Sequence, residues 1–408
     1  MVVPGSIPNI IFSVLKLKFH IFEVTTKLIN LRVLIIKVVL ILYTALIALL
    51  CVGFLRLSCL PAGTAPKVRR LEKYFLGPFT SRFSIVIPFR NEAENLERLL
   101  VSLSQLDYPK ELFEVILVND ESTDASVEII HSLLAKMNLK LRILENERFS
   151  GSPKKDALTK AIAHANFEWI ATTDADCKLP PNWLKHFHTE ITANQADFIA
   201  APVIFFTGKG FLNAFQKLDF LSLQGATMGS FGLKKPFMCN GANLTFKKST
   251  FEEVGGYAMT NHLASGDDVF LMHKFLKADK KVVYHNASQA TVETAAQTSW
   301  KALIQQRVRW AAKASAYKNP AALLIGLLVF FGNLASVAAL FFPEFYIWLL
   351  PKIIIDFALI ALTANLLKQQ KALLYFIPTA VFYPFFTVWV AGRSQLGSFV
   401  WKDREFRK

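Results

Sequence analysis

The chain has 408 residues, of which 53% are hydrophobic, with a mean hydropathy of +0.34 and a formal net charge of +15. An ordinary soluble enzyme is less apolar; this composition implies lipid contact, and the length allows one large soluble domain plus several membrane spans. The positive balance suits a neighbour of anionic headgroups that handles a negatively charged substrate, whereas its dispersal around apolar segments and the lack of a base-reading module argue against nucleic acid.

Residues 1–30 read as an N-terminal interfacial or flexible segment, with Ile10–Ile29 as its helical part. The apolar run Leu31–Leu57 follows, long enough to cross a hydrocarbon core of about 30 Å at about 1.5 Å per residue. It starts too far into the chain, after Lys16, Lys18 and Lys27, to be a cleavable signal peptide. Positive charge lies towards both of its ends, Arg32 and Lys37 towards one, Arg56, Lys67, Arg69 and Arg70 towards the other, so it does not orient the span. Cys51, Cys59, Cys177 and Cys239 have neither metal-ligand spacing nor a disulfide pattern, and a reduced, cytosol-facing soluble part is expected.

Between about Phe83 and His285, short β-branched runs alternate with helical periodicity, which predicts an α/β domain with a mainly parallel sheet. The predicted strands are Phe83–Phe89, Phe113–Asn119, Leu141–Leu144 and Trp169–Thr173. From Asn91 and Glu92 onward, Leu96, Leu99, Leu100 and Leu103 recur at helical spacing, and Asp124 and Ser152 stand where the next two helices would be capped. Gly210–Leu233 fits either an amphipathic helix at the membrane interface or an ordinary core helix.

Polar residues gather where the predicted strands stop, the place where open α/β sheets bind ligands. Asn119, Asp120, Glu121 and Asp124 follow the second strand, and Asp174 and Asp176 the fourth. Two carboxylates one residue apart on a turn can share a divalent cation with phosphate oxygens; the alternative is turn and cap chemistry. Gly266-Asp267-Asp268 opens an apolar helix, where a carboxylate is either a cap or a base beside an acceptor hydroxyl. Gln305-Gln306-Arg307-Val308-Arg309-Trp310 either anchors an interface or lets Arg309 grip a diphosphate through its fork of donors.

Three further apolar blocks, Ala321–Phe342, Phe345–Leu367 and Ala372–Ala391, give a C-terminal membrane region over 321–392 with two or three spans, then a basic tail, 393–408. Lys368 and Lys371 favour a cytosolic loop between the last two blocks. A third crossing would place Arg393, Lys402, Arg404, Arg407 and Lys408 outside, whereas a kink at Pro378 and Pro384 would return the tail to the cytosol.

Taken in order, these pieces resemble the membrane-integrated, inverting family 2 glycosyltransferases related to cellulose, hyaluronan and ceramide glucosyl transfer. The resemblance covers residues 80–310 and implies a cytosolic GT-A nucleotide-sugar-binding domain flanked by transmembrane helices. Phe-Ser-Ile-Val-Ile-Pro-Phe-Arg-Asn-Glu (83–92) is similar to the family's first strand and nucleotide-contacting turn, implying that Pro88 and Glu92 lie beside the nucleoside. Val-Asn-Asp-Glu-Ser-Thr-Asp (118–124) is similar to the base-reading element and gives that role to Asp120. Here the chain departs from the common form: Asn119 replaces a frequent acid and Glu121 a usual glycine, which puts the turn's shape in question.

Lys154, with Ala157 and Leu158, matches the family's donor-side lysine pattern. Asp174-Ala175-Asp176 matches its metal motif, with Asp176 ligating Mg2+ or Mn2+ and Asp174 contacting the donor or metal-bound groups. Asn240-Gly241-Ala242-Asn243 resembles the acceptor side; Asp267 precedes the implied base Asp268; and Gln306, Arg309 and Trp310 complete the set. The implied reaction is direct displacement: Asp268 takes the acceptor proton, and the nucleoside diphosphate leaves with Arg309 and the metal absorbing charge, turning an α-linked donor into a β-linked product. A UDP-sugar is the expected donor, a lipid or other membrane-proximal molecule the acceptor, and the bacterial inner (plasma) membrane the location. The competing readings are a processive polysaccharide synthase and a non-catalytic binding or transport protein.

Overall fold

A computed structural model describes residues 7–58, 78–261, 263, 266–314, 320–395, 399–401 and 404–406. Cys59, Lys67, Arg69, Arg70, Lys402, Arg407 and Lys408, used in the topology and cysteine readings above, lie outside the described residues. The chain opens with one 52-residue helix, α1 (Ile7–Ser58), in which the predicted interfacial segment and the first span are continuous.

The soluble part runs β1 (Phe83–Phe89), α2 (Ala93–Ser104), β2 (Phe113–Asn119), α3 (Ser126–Leu134), β3 (Leu141–Glu145), α4 (Pro153–Ala163), β4 (Trp169–Thr172), α5 (Trp183–Asn194), β5 (Phe198–Ala200) and β6 (Val203–Phe205). It continues with α6 (Gly210–Gly232), β7 (Leu244–Lys247), α7 (Lys248–Glu253), α8 (Asp267–Lys277), β8 (Val282–Tyr284), β9 (Val292–Thr294) and α9 (Trp300–Ala314). Then come α10 (Pro320–Leu340), α11 (Tyr346–Leu366), α12 (Phe376–Gln395) and a terminal pair, β10 (Phe399–Trp401) and β11 (Arg404–Phe406).

Seven strands form the main sheet in the order β3-β2-β1-β4-β7-β5-β8. Every pair is parallel except those made by β7, which runs antiparallel to both β4 and β5. The expected α/β domain with a mainly parallel sheet is therefore the fold adopted. The predicted strands stand to within a residue, because each is an apolar run closed by polar turn residues. Leu96, Leu99, Leu100 and Leu103 are all buried on one side of α2, as their spacing requires.

Strand alternation divides the core. Phe83, Ile85, Ile87 and Phe89 face α2 and α5 on one side of the sheet. Val86, Ile116 and Ile170 face α4 on the other, in an apolar core that continues without a break to Leu50 and Phe54 of α1, Met228 of α6 and Leu359 of α11. The sheet and the long apolar helices thus share one core.

Among the described residues four helices are long and apolar enough to cross a membrane: Asn30–Ser58, Ala322–Leu340, Pro343–Leu366 and Gln370–Gln395. Between two of them the Tyr43 hydroxyl donates to Asp356 at 3.0 Å and Lys352 pairs with the same carboxylate at 2.8 Å, so the buried charges are partnered. Of the two readings of 210–233, the core helix describes α6: Phe215, Leu218, Phe220 and Leu221 are buried. Its glycines explain why it fits. A Cβ on Gly229 would collide with the Leu50 carbonyl and one on Gly232 with the Gly53 carbonyl, so α6 and α1 touch backbone to backbone.

Candidate active site

The strand order places the carboxyl ends of β2, β1 and β4 side by side, and the turns leaving them build one wall of a cleft of about 670 Å3. Its other walls come from the 238–242 segment, the start of α8, α6 and α9. All the site residues named from the sequence line it: Pro88, Glu92, Asp120, Lys154, Asp174, Asp176, Asn240, Gly241, Asp267, Asp268, Gln306, Arg309 and Trp310.

The turns after β1 and β2 are fastened to each other. Asn91 Oδ1 accepts the Thr123 amide at 2.8 Å, the Glu92 amide donates to Ser126 Oγ at 2.9 Å, and Asp124 accepts the amides of Ala93 and Ser126. Asp124 thus holds the starts of two helices. Ser152 sits at the N-terminal boundary of α4, but its hydroxyl makes no capping bond; Asp156 instead accepts the amides of Phe149 and Ser150.

Asp120 accepts from Asn146 Nδ2 and Arg148 Nε, both at 2.8 Å, while Arg90 donates to the carbonyls of Asp120 and Glu121. Glu121, standing where glycine is usual, still takes the left-handed conformation, with φ of 56°. Arg148 Nη2 reaches its carboxylate at 2.5 Å and spans both acids. The turn thus carries a non-glycine residue in the left-handed region, its side chain paired at the surface with Arg148. Arg90, Asn146 and Arg148 were not singled out from the sequence: Arg148 meets Asp120 only because β2 and β3 end together, and no local pattern announces it.

Lys154 Nζ lies 2.7 Å from Asp174 Oδ1 and 3.2 Å from Asp267 Oδ2, joining the turn after β4 to the start of α8. Burial opposes its charge, but Asp174 and Asp267 outweigh that and hold its ammonium above the ordinary range. Asp268 is fixed by two amides, Gly241 N–H to Oδ2 at 3.1 Å and Val269 N–H to Oδ1 at 2.7 Å. The approach is close: a Cβ on Gly241 would stand 3.1 Å from Asp267 Oδ2, so a larger residue there would press on that carboxylate. Asn240 accepts the Ala242 amide, whereas the adjacent Asn243 is wholly buried and pins the backbone of Pro202 and Ala290.

Burial, then the nearby charges of Asp174 and Glu92, push the Asp176 carboxyl up to about 7. Arg309, on α9, faces these acids from across the cleft. Burial lowers its pKa, against the pull of Asp174, Asp267, Asp176 and Asp268. Among the described residues no three His, Cys, Asp or Glu side chains converge as a cage for an ion. The acids at 174 and 176 fit a hard divalent cation that takes its remaining ligands from water and phosphate, and such a cation would relieve their repulsion.

Part of the cleft wall is apolar and aromatic. Phe205 and Phe220 pack at a ring separation of 4.6 Å, Phe220 and Trp310 at 6.2 Å, and Leu223, Thr227 and Met238 continue the wall.

Residues 84–255 match the sequence profile of Glycosyl transferase family 2. The chain is 28% identical over 187 residues to Glycosyltransferase AglE of Haloferax volcanii, a match covering 46% of this chain and 58% of that one. It is 32% identical over 129 residues to the poly(ribitol-phosphate) beta-N-acetylglucosaminyltransferase TarS of Staphylococcus aureus, covering 32% of this chain and 22% of TarS. With the probable glycosyltransferase YdaM of Bacillus subtilis it shares 25% over 237 residues, covering 56% and 54%. These matches span less than two thirds of each relative. In fold it is similar to the mannosyltransferase PcManGT of Pyrobaculum calidifontis, solved with GDP-Man and Mn2+, with a TM-score of 0.54, 18% identity, and coverage of 88% of this chain and 99% of that one.

Proposed function

We propose, from the premise that residues 84–255 of this chain form a glycosyl transferase family 2 domain, that the protein moves a sugar from a nucleotide-sugar to a membrane-proximal lipid acceptor with inversion. A single observation carries the lipid part of this reading. Helix α6 presents Phe220, Leu223 and Thr227 to the cleft, while its glycines seat it directly on α1, a candidate span. The apolar wall that α6 gives the cleft is thus one helix away from the membrane segments.

In this reading the turns after β1 and β2, through Pro88, Glu92 and Asp120, receive the nucleoside, for which UDP is the expected carrier. Lys154 holds the donor's diphosphate, and Asp174 contacts the donor or metal-bound groups. Asp176, with Asp174, would hold Mg2+ or Mn2+, which supplies charge neutralisation to a diphosphate. Asp268, its carboxylate aimed by Gly241 and Val269, takes the proton from the attacking hydroxyl, and Arg309 stabilises the departing diphosphate. Asn240, Gly241, Gln306 and Trp310 shape the acceptor side.

In this reading the catalytic domain and the 367–375 loop share the cytosolic face; Lys217 of α6 donating to Gln369 of that loop at 3.3 Å supports their lying on one side. A returning C-terminal tail is supported by α12, whose Phe386 and Val390 pack with Leu303 and Val308 of α9 instead of standing among lipid-facing helices alone.

The test is transfer of radiolabelled sugar from a panel of UDP- and GDP-sugars into membrane lipids, with native protein and Asp268→Asn at equal expression. An organic-extractable product made only by the native chain is expected. Label confined to insoluble polymer would replace the lipid reading with a processive synthase, and no transfer from any donor would refute the enzyme.

A further inference from the structure

Helix α6 grips the arm that carries the cleft's arginine at two points. Gln216, fully buried, brackets the backbone of Gln297: its Nε2 donates to the Gln297 carbonyl at 3.0 Å and its Oε1 accepts the Gln297 amide at 2.9 Å. One turn further on, Asp219 accepts from Arg307 Nε at 2.6 Å, a pair in which the side chains are only 4% and 6% exposed. Gln297 lies just before α9 and Arg307 well along it, so both ends of the arm are held by the same face of α6.

Arg307 and Arg309 are two residues apart, roughly 200° around a helix. One therefore faces α6 while the other faces the cleft. The Arg307 guanidinium also lies over the Trp310 ring, 4.2 Å from its centroid, and Trp310 packs towards Phe220 of α6. A pair made by two residues on different helices, plus a bracket at the helix foot, fixes the rotation of α9 about its own axis as well as its distance from α6. Tyr383 of α12 also hydrogen-bonds Asp219.

We infer that Gln216 and Asp219 are positioning residues for the transfer reaction: by locking the rotation of α9 through Gln297 and Arg307 they set where Arg309 meets the diphosphate. This rests on the transferase reading above. Neither residue lines the cleft; they reach Arg309 through Gln297 and Arg307 of the α9 arm.

The experiment uses the full chain in lipid nanodiscs, with Asp219→Asn, Gln216→Leu and the double variant Asp219→Leu/Arg307→Met. The double variant removes both buried charges together, so it folds where a single one leaves an uncompensated partner. Amide hydrogen exchange over 295–314 is expected to accelerate about tenfold, with the β1–β4 region unchanged. Turnover per bound nucleotide should fall about 100-fold, the scale of a roughly 1 Å misplacement, at a UDP Kd within about twofold of native. Counting turnover per bound nucleotide removes the effect of any unfolded fraction. Combined with Arg309→Lys, Asp219→Asn should add almost nothing, because both changes act through one guanidinium.

Unchanged exchange over 295–314 would overturn the inference, as would turnover per bound nucleotide within about twofold of native, or losses that multiply with Arg309→Lys. A native chain that turns over no donor would sink the transferase reading, while exchange alone would still decide whether α6 holds α9.

Discussion

One ammonium, Lys154 Nζ, bridges Asp174 at 2.7 Å and Asp267 at 3.2 Å, and so ties the two carboxylate motifs of the cleft together. Lys154→Met would leave like charges facing one another in a partly buried site without their shared counter-charge. Turnover should drop about 100- to 1,000-fold, the range seen when a preorganised charge is lost. Turnover within about twofold of native would show that the Lys154 bridge does not organise the site for transfer.

Chelation supplies a second check. Activity lost to EDTA should return with Mn2+ or Mg2+ in the native chain, and Asp176→Asn should need much higher metal for the same rate, since it removes a carboxylate ligand. Full activity in excess EDTA would remove the metal from the mechanism.

Glu121 holds a left-handed backbone, so Glu121→Gly removes strain of about 1 kcal/mol. The pair it loses with Arg148 is on a largely exposed side chain and contributes only about 0–1 kcal/mol. Thermal stability should therefore stay level or rise slightly, whereas Glu121→Val should lower it clearly. Equal effects of the two substitutions would contradict the turn geometry.

The backbone contact between α1 and α6 predicts that Gly232→Val destabilises the chain by about 1–3 kcal/mol through overpacking against Gly53. Gly326→Ala, at a position with open space around it, is the matched control. Thermal unfolding in detergent measures both, and a neutral Gly232→Val would mean the helices do not meet there.

Burial pushes the Glu114 carboxyl up, but hydrogen bonds from Ser84 and Asn166 and the charge of Arg142 more than offset it, leaving it below its ordinary 4.5. A carboxyl depressed in the folded state stabilises fully above its unfolded value, and that contribution fades as pH falls through the folded one. Glu114→Gln should thus cost about 1–3 kcal/mol near neutral pH. The difference from native should narrow below pH 4.5; a gap that stays constant down to pH 3 would argue that packing, not charge, carries the effect.

Much of this site was legible before any coordinates. Apolar runs that end in Asn119-Asp120 and Asp174-Ala175-Asp176 mark strand ends, and in a parallel sheet those ends meet at one edge. The leucines of α2 and the four long apolar segments follow in the same way from spacing and length. What was not legible depends on pairs far apart in sequence: Arg148 on Asp120, Lys154 on Asp267, Asp219 on Arg307.

Helix α6 shows why. Its sequence satisfied an interfacial helix and a core helix equally, because composition records how apolar a face is and not what covers it. Only the packed chain decides that its glycines meet α1, that its buried Gln216 and Asp219 hold α9, and that Phe220 lines the cleft. Local chemistry thus determined which residue types stand at the ends of strands and helices in this protein. Tertiary structure decided which of them face one another, because pairings across long separations are fixed by how the elements pack around a shared core and not by any pattern within a single element.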